Sequence, residues 1–473
     1  MKRIVQLLAV LATLTIIIEG AGLRARNKSS GPSNGRGGAA AASAMLAPTP
    51  PMGWNSYDCY GGDVNEQEVK ANADYVAAHL ARYGWKYIVI DYYWYYAAGT
   101  VKGTPVMDAY GRLLPDPKRF PSSAGGQGFK PLADYVHSKG LKFGIHIMRG
   151  IPRAAVAQNL PILGAKAHAR DVANLLNGCA WSKAMYGVDA SKPAGQAYYN
   201  SIAKLYAQWG VDYIKADDMS RAEDPWGEMY HRPEIEALRK AMTATGRPMA
   251  LSLSPGPTSL TDAANVAHYS QLWRISNDVW DNWQQVANQF GFCRHWAAYG
   301  GPGHWPDADM LPLGHLCIRG FGDSASFRPR MTHLTHDEQR TLMTLWFVFR
   351  SPLMIGADLP TSDAFTISLF TDPEALAVDQ HSSCNRQLFA RGEQIGWVAN
   401  VPGGRGKYVA LFNLADSGSQ KIKVSWSELG FQGRCTVRDL WERKDAGAFS
   451  GAFSAEIPSH GAGLYKVEPG SNP

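Results

Sequence analysis

Several things are scarce in this sequence, and each shortage removes a class of protein. Charged residues make up 19% of the 473, below the quarter or so usual for soluble domains. No run of five or more Lys or Arg occurs, and the net charge of +6 is spread thinly. That is not the electrostatic footprint of a nucleic-acid binder. The six cysteines (Cys59, Cys179, Cys293, Cys317, Cys384 and Cys435) are scattered and none forms a CxxC pair. A cysteine zinc site and a dense disulfide framework are therefore excluded, and each cysteine is expected to be free and buried. Gly61-Gly62 after the first β-rich run is no phosphate-binding loop, which argues against a dinucleotide-binding open sheet. Beyond the N-terminus, no segment is apolar for long enough to span a bilayer.

Apolar and aromatic residues are plentiful. Hydrophobic residues reach 45%, enough to bury a large core and too many for a mainly disordered chain. Trp, Tyr and Phe number 15, 21 and 16, or 11% of the chain. They serve either as core or as platforms for flat ligands such as sugar rings. At the N-terminus, Lys2 and Arg3 precede the apolar run 4–18, which ends in Gly20-Ala21-Gly22. This is the pattern of a secretory signal peptide over residues 1–22, and it predicts a secreted or periplasmic protein. Residues 23–49 are rich in Ser, Gly, Ala and Pro and read as a flexible linker.

From residue 50 to about 378, short β-rich runs alternate with amphipathic helical ones. The runs fall at 52–57, 87–94, 142–148, 212–218, 249–255, 272–278, 305–313 and 353–359, with helices expected at 69–83, 131–139, 195–209, 233–245 and 337–349. Eight such repeats over roughly 300 residues predict an α/β fold, the (β/α)8 TIM barrel. From 379 to 473 the texture changes to short alternating strands (395–399, 408–413, 421–426 and 435–440) with Gly-rich turns. A small C-terminal antiparallel β-sandwich is expected there.

A barrel places its active site at the C-terminal ends of the strands. Those ends carry carboxylates: Asp91, Asp217-Asp218, Asp278, Asp307 and Asp309. One carboxylate after a strand is often a helix cap, but four strands sharing the feature point to a hard-metal site or a glycosidase pair. Lys215 and Asp217, two apart, share a strand face, and a cation there suits an ionised nucleophile. Arg274 and Asp278 follow the same logic, with Arg274 deeper and Asp278 nearer the rim. Two non-hydrolase readings stand beside this one: a sugar-binding protein without turnover, and a barrel metalloenzyme using Asp91, Asp217, Asp218 and His146.

Taken in order, five motifs resemble one family. They are Thr49-Pro-Pro-Met-Gly-Trp-Asn-Ser-Tyr57, Ile90-Asp91-Tyr92-Tyr93-Trp94, Lys215-Ala216-Asp217, Trp273-Arg274 with Asp278, and Pro306-Asp307-Ala308-Asp309-Met-Leu-Pro-Leu-Gly314. The chain is similar to glycoside hydrolase family 27, the melibiase-type α-galactosidases and α-N-acetylgalactosaminidases, from residue 50 to about 467. The resemblance implies a retaining exo-glycosidase without cofactor or metal, acting on a carbohydrate and on neither nucleic acid nor membrane. It implies Asp217 as nucleophile and Asp278 as general acid/base, protonated at working pH through burial or the nearby Asp217 charge. Lys215, Arg274, Trp54, Asp91 and Asp309 match sugar-binding positions. Tyr92, Trp94, His146 and Ser254 stand where a substrate could touch them, Trp94 as a stacking platform.

The sugar-reading positions depart from the family. Its α-galactosidases carry two adjacent Asp after strand two, gripping the 4- and 6-hydroxyls; here the pair is Asp91-Tyr92. The strand-five Cys-Glu-Trp segment reads Leu253-Ser254-Pro255, strand three ends His146-Ile-Met-Arg149, and Met219 replaces the cysteine after the nucleophile. Terminal α-linked galactose is the expected substrate, with N-acetylgalactosamine, β-L-arabinopyranose or an isomaltose unit of dextran as alternatives.

Overall fold

The structure, a computed structural model, describes residues 45–98, 103–222, 229–319 and 328–470. The expected signal peptide and most of the expected linker lie outside them. Among the described residues no helix is long and apolar enough to cross a membrane.

Eight parallel strands form one sheet. They are β1 (Met52–Asn55), β2 (Tyr87–Ile90), β3 (Lys142–Met148), β4 (Tyr213–Asp217), β5 (Ala250–Leu253), β6 (Leu272–Arg274), β7 (Trp305–Asp307) and β8 (Leu353–Ile355). Their order is β7-β6-β5-β4-β3-β2-β1-β8. The curl closes just beyond β7, where Leu311 N–H donates to Met354 O (2.8 Å) and Gly356 N–H to Leu311 O (3.0 Å). Runs such as Tyr-Ile-Val-Ile of β2 are buried at every residue, as parallel strands covered on both faces must be. The helices start on local signals. Asn65 and Glu68 form a capping box for Glu66–Tyr75, and Thr335 and Glu338 form another for His336–Phe349. Pro193 opens the helix Pro193–Trp209, and Gly210 closes it in the left-handed conformation at φ 86°.

All eight expected barrel strands are present, but most stop earlier than their apolar runs. β2 ends at Ile90, β6 at Arg274 and β7 at Asp307, because the chain leaves the sheet where the pocket-facing polar residues begin. The helices Ala263–Tyr269, Trp283–Trp296, Ala364–Phe370 and Pro373–His381 were not foreseen. Neither was a small antiparallel sheet of Ile151–Pro152, Met185–Val188 and Ala173–Gly178 after β3.

The C-terminal sandwich contains β9 (Ser383–Arg391), β10 (Gln394–Asn400), β11 (Lys407–Asn413), β12 (Gln420–Ser425), β13 (Arg434–Asp439), β14 (Lys444–Ser450), β15 (Ala452–Ile457) and β16 (Ala462–Pro469). Six strands run β9-β10-β11-β16-β13-β14, and β12 pairs with β15 in a second layer. Helix His336–Phe349 carries the contact between the two parts: Trp441 Nε1–H donates to Thr344 Oγ1 (3.0 Å) and Thr341 Oγ1 to His460 O (2.6 Å). All six cysteines are free; five are buried, whereas Cys384 is exposed.

Candidate active site

A cavity of about 200 Å³ opens at the C-terminal ends of the barrel strands. Asp91, Tyr92, Lys215, Asp217, Arg274, Asp278 and Asp309 line it, together with Tyr57, Asp58, Trp181 and Trp280. Strand alternation explains the β4 contribution: Lys215 and Asp217 point inward while Ala216 between them is buried in the wall.

Asp217 is held from the two neighbouring strands. Its Oδ2 lies 2.9 Å from His146 Nε2 on β3, and an ionised carboxylate only accepts, so Nε2 carries the proton. Its Oδ1 accepts from the Ser254 hydroxyl just after β5. Burial works against ionisation, yet His146, Lys215 and the Ser254 hydroxyl together hold the Asp217 carboxyl well below the usual carboxylate range. Lys215 has a different direct partner: its Nζ donates to Asp91 Oδ2 at 2.8 Å, which also accepts from Asn55 Nδ2 at 2.6 Å. Despite its burial, Asp91 is lowered by the Lys215 and His146 charges. Lys215 therefore acts on Asp217 only through space, and the direct contacts to Asp217 are those of His146 and Ser254.

Arg274 binds the opposite wall together. Its Nη1 lies 2.6 Å from Asp309 Oδ1 and its Nη2 3.2 Å from Asp278 Oδ1. Asp309 Oδ2 also accepts the Val279 N–H at 2.6 Å. Burial pushes the Asp309 carboxyl upward while Arg274 opposes it. The Asp278 side chain is 65% exposed, so the burial expected to favour its protonated form is not there. Its carboxyl instead stands at the mouth, open to an entering leaving group. Asp218 is turned away from the cavity. It sits at φ 63° and its Oδ2 pairs with Arg149 Nη2 at 2.7 Å; Arg149 also holds Glu234 at 2.6 Å.

Four expected sugar contacts are corrected. Trp54 is fully buried and donates from Nε1 to Ala357 O at 2.7 Å. Trp94 is likewise fully buried, donating to His146 O at 2.7 Å and packing on Phe129 and Trp209. Both rings are core: Trp54 is on a strand buried on both faces, where alternate residues look alike in sequence, and Trp94 is in the turn after β2, where no periodicity reports direction. His146 and Ser254 have no exposed surface to offer a sugar; they touch Asp217 instead, and the N-acetyl reading of Ser254 loses its free hydroxyl.

Tyr92 does reach the cavity. Its ring stacks on Tyr93 (centroids 3.5 Å apart, 27° between planes) and meets the Tyr57 edge at 6.0 Å. The platforms that sequence reasoning missed are Trp181, in the turn before Met185–Val188, and Trp280, two residues past Asp278. Trp181 is 43% exposed and its ring lies 6.0 Å from Tyr92. The only signal in the sequence was the aromatic surplus itself.

Residues 49–158 and 181–381 match the family model for α-galactosidase A, and residues 391–467 match the model for the α-galactosidase C-terminal β-sandwich domain. Among curated relatives, an α-galactosidase of Cyamopsis tetragonoloba is 30% identical over 434 residues, covering 90% of this chain and 88% of its own. Among solved structures, a GH27 β-L-arabinopyranosidase of Geobacillus stearothermophilus is 46% identical with a TM-score of 0.87, covering 90% of this chain and 98% of that one. A variant of that enzyme was crystallised in complex with arabinose. A protein of Bacillus halodurans described as a putative α-N-acetylgalactosaminidase is 43% identical with a TM-score of 0.81, over 90% of this chain and 99% of that one. With both modules matched along most of its length and the carboxylates gathered at the barrel mouth, the chain belongs to the α-galactosidase family of glycoside hydrolases, family 27.

Proposed function

We propose that the chain is an exported, retaining exo-glycosidase whose preferred terminal sugar is β-L-arabinopyranose. The observation that carries the sugar assignment is Tyr92. In the α-galactosidases of the family two adjacent aspartates grip the 4- and 6-hydroxyls, and the second of the pair is absent here. Here an aromatic ring, stacked on Tyr93, lines that wall. β-L-Arabinopyranose has the ring stereochemistry of α-D-galactopyranose without the 6-hydroxymethyl group, so it loses nothing to the missing acceptor. A site built for a hydroxyl discriminates strongly against its absence, whereas an apolar wall rejects an added hydroxyl only modestly. A preference for the arabinoside, and not exclusion of the galactoside, is therefore expected. The 46% identity to a β-L-arabinopyranosidase supports the same choice.

The chemistry follows from the held carboxylates. Asp217, kept ionised, attacks the anomeric carbon while Asp278 gives its proton to the departing glycosidic oxygen. Asp278 then takes a proton from water, whose oxygen displaces Asp217 and releases the sugar. Trp181 and Trp280 flank the mouth on the leaving-group side.

A second reading, α-galactosidase, is favoured by curated relatives of that name and by the retained Asp91, Lys215 and Arg274. Nitrophenyl β-L-arabinopyranoside and α-D-galactopyranoside separate the two. A higher kcat/KM on the arabinoside is expected; a higher value on the galactoside gives the second reading, and turnover of neither overturns both. Sugar binding without turnover would restore the carbohydrate-binding alternative. For export, N-terminal sequencing of protein recovered from culture medium should begin near residue 23, and an intact Met1 there would refute cleavage.

A further inference from the structure

Every buried acid around the cavity is answered by a partner except one. Asp91 has Lys215 and Asn55, Asp217 has His146 and Ser254, and Asp309 has Arg274 and the Val279 N–H. Asp58, in the short turn Tyr57–Tyr60 that follows β1, is only 4% exposed and lines the same cavity. Its Oδ2 is buried without a hydrogen-bond partner. An unmet buried oxygen is costly, and the fold makes room for it. Position 356, directly after β8, is glycine, and a Cβ there would overlap Asp58 Oδ2. A larger residue at 356 would have filled the gap and left no place for the carboxyl.

We propose that Asp58 is a specificity-determining residue whose carboxyl hydrogen-bonds a ring hydroxyl at the C3–C4 edge of the bound sugar, an assignment that rests on the glycosidase reading above. Depth assigns the edge. The leaving group departs past Asp278, which is 65% exposed at the mouth, so the anomeric carbon lies nearest the rim and C3 and C4 lie deepest. Asp58, only 4% exposed, belongs to the buried part of the lining, and the charges acting on it are those of Asp309, Lys215, Asp278 and Asp91. Burial, reinforced by Asp309, pushes its carboxyl well above the ordinary range. The protonated form that this favours both donates and accepts, which matches a hydroxyl and not a cation.

The test uses substrate deletion against residue deletion in the full-length enzyme. On whichever of the two nitrophenyl glycosides the wild type cleaves faster, Asp58→Ala, which removes both donor and acceptor, should lower kcat/KM roughly tenfold to hundredfold, mainly through KM. On the 3-deoxy or the 4-deoxy analogue of that glycoside, wild type and variant should differ less than about twofold. Asp58→Ser provides the same comparison if the alanine variant does not fold, as judged by Tm. A variant equal to wild type on the parent glycoside, or an undiminished loss on both deoxy analogues, would overturn the assignment and leave the glycosidase reading standing. Failure of the wild type to cleave either parent glycoside would overturn the glycosidase reading itself, and the Asp58 assignment with it.

Discussion

The barrel mouth and the C-terminal sandwich are built on opposite plans. The mouth buries charge: Asp91, Arg274 and Asp309 are each at most 5% exposed and face one cavity. The sandwich buries Val398, Val409, Leu411, Ile422, Val424 and Trp426 between its layers and keeps ion pairs such as Lys466–Glu468 (2.8 Å) on its surface. Desolvated charges cost free energy even when paired, whereas apolar burial contributes about 25 cal/mol per Å². The mouth is therefore arranged for chemistry at some expense of stability, and the sandwich contributes stability while none of the residues lining the cavity belongs to it.

Five experiments press on that contrast. Asp217→Asn should lower kcat on the order of 10³-fold or more, with Tm little changed; a variant within tenfold of wild type would remove Asp217 from the mechanism. In the sandwich, Leu411→Ala should do the reverse, costing about 2–5 kcal/mol of stability while kcat at a permissive temperature stays put. A large kcat loss there would mean that the two parts are coupled more tightly than the contacts of helix His336–Phe349 suggest. Third, His146→Gln should reduce kcat roughly tenfold to hundredfold by loosening the nucleophile, with KM nearly unchanged; a pure KM effect would make His146 a sugar contact after all.

The fourth experiment is a titration. Burial, with Arg149 nearby, lowers His231 from 6.5 to about 3. The unfolded chain thus binds a proton near pH 6.5 while the folded one stays neutral. This contribution to stability is full above about 6.5 and declines as pH falls toward 3. Replacing the imidazole by His231→Leu should flatten Tm against pH in that window, and an unchanged slope would exclude His231 as its source. Smallest of all, Arg438→Ala removes an ion pair to Glu374 (2.7 Å). It should lower Tm slightly at low salt and not at all near 1 M, since exposed pairs are screened.

Much of the fold was legible because parallel strands buried on both faces leave continuous apolar runs, and all eight barrel strands were found that way. The same property hid which face Trp54 takes, and Trp94 lies in the turn after β2, so both were assigned to the pocket although both are core. Asp58, Trp181 and Trp280 escaped because they sit in turns, where no periodicity reports direction. The hairpin carrying Trp181 had no recognisable pattern at all; Leu175 and Leu176 in its strand are exposed.

The amino-acid order by itself determined which residues could share a face: Lys215 with Asp217, two apart on β4, and Arg274 with Asp278 in the turn after β6. Who pairs with whom was decided only by the sheet. β4 lies between β3 and β5, with His146 in register beside Lys215. That arrangement carries His146 and Ser254 to Asp217 and directs Lys215 to Asp91, the residue after β2. Spacing along one strand sets the side on which a group emerges. The order and register of neighbouring strands, far apart in sequence, set which charges lie within hydrogen-bond reach.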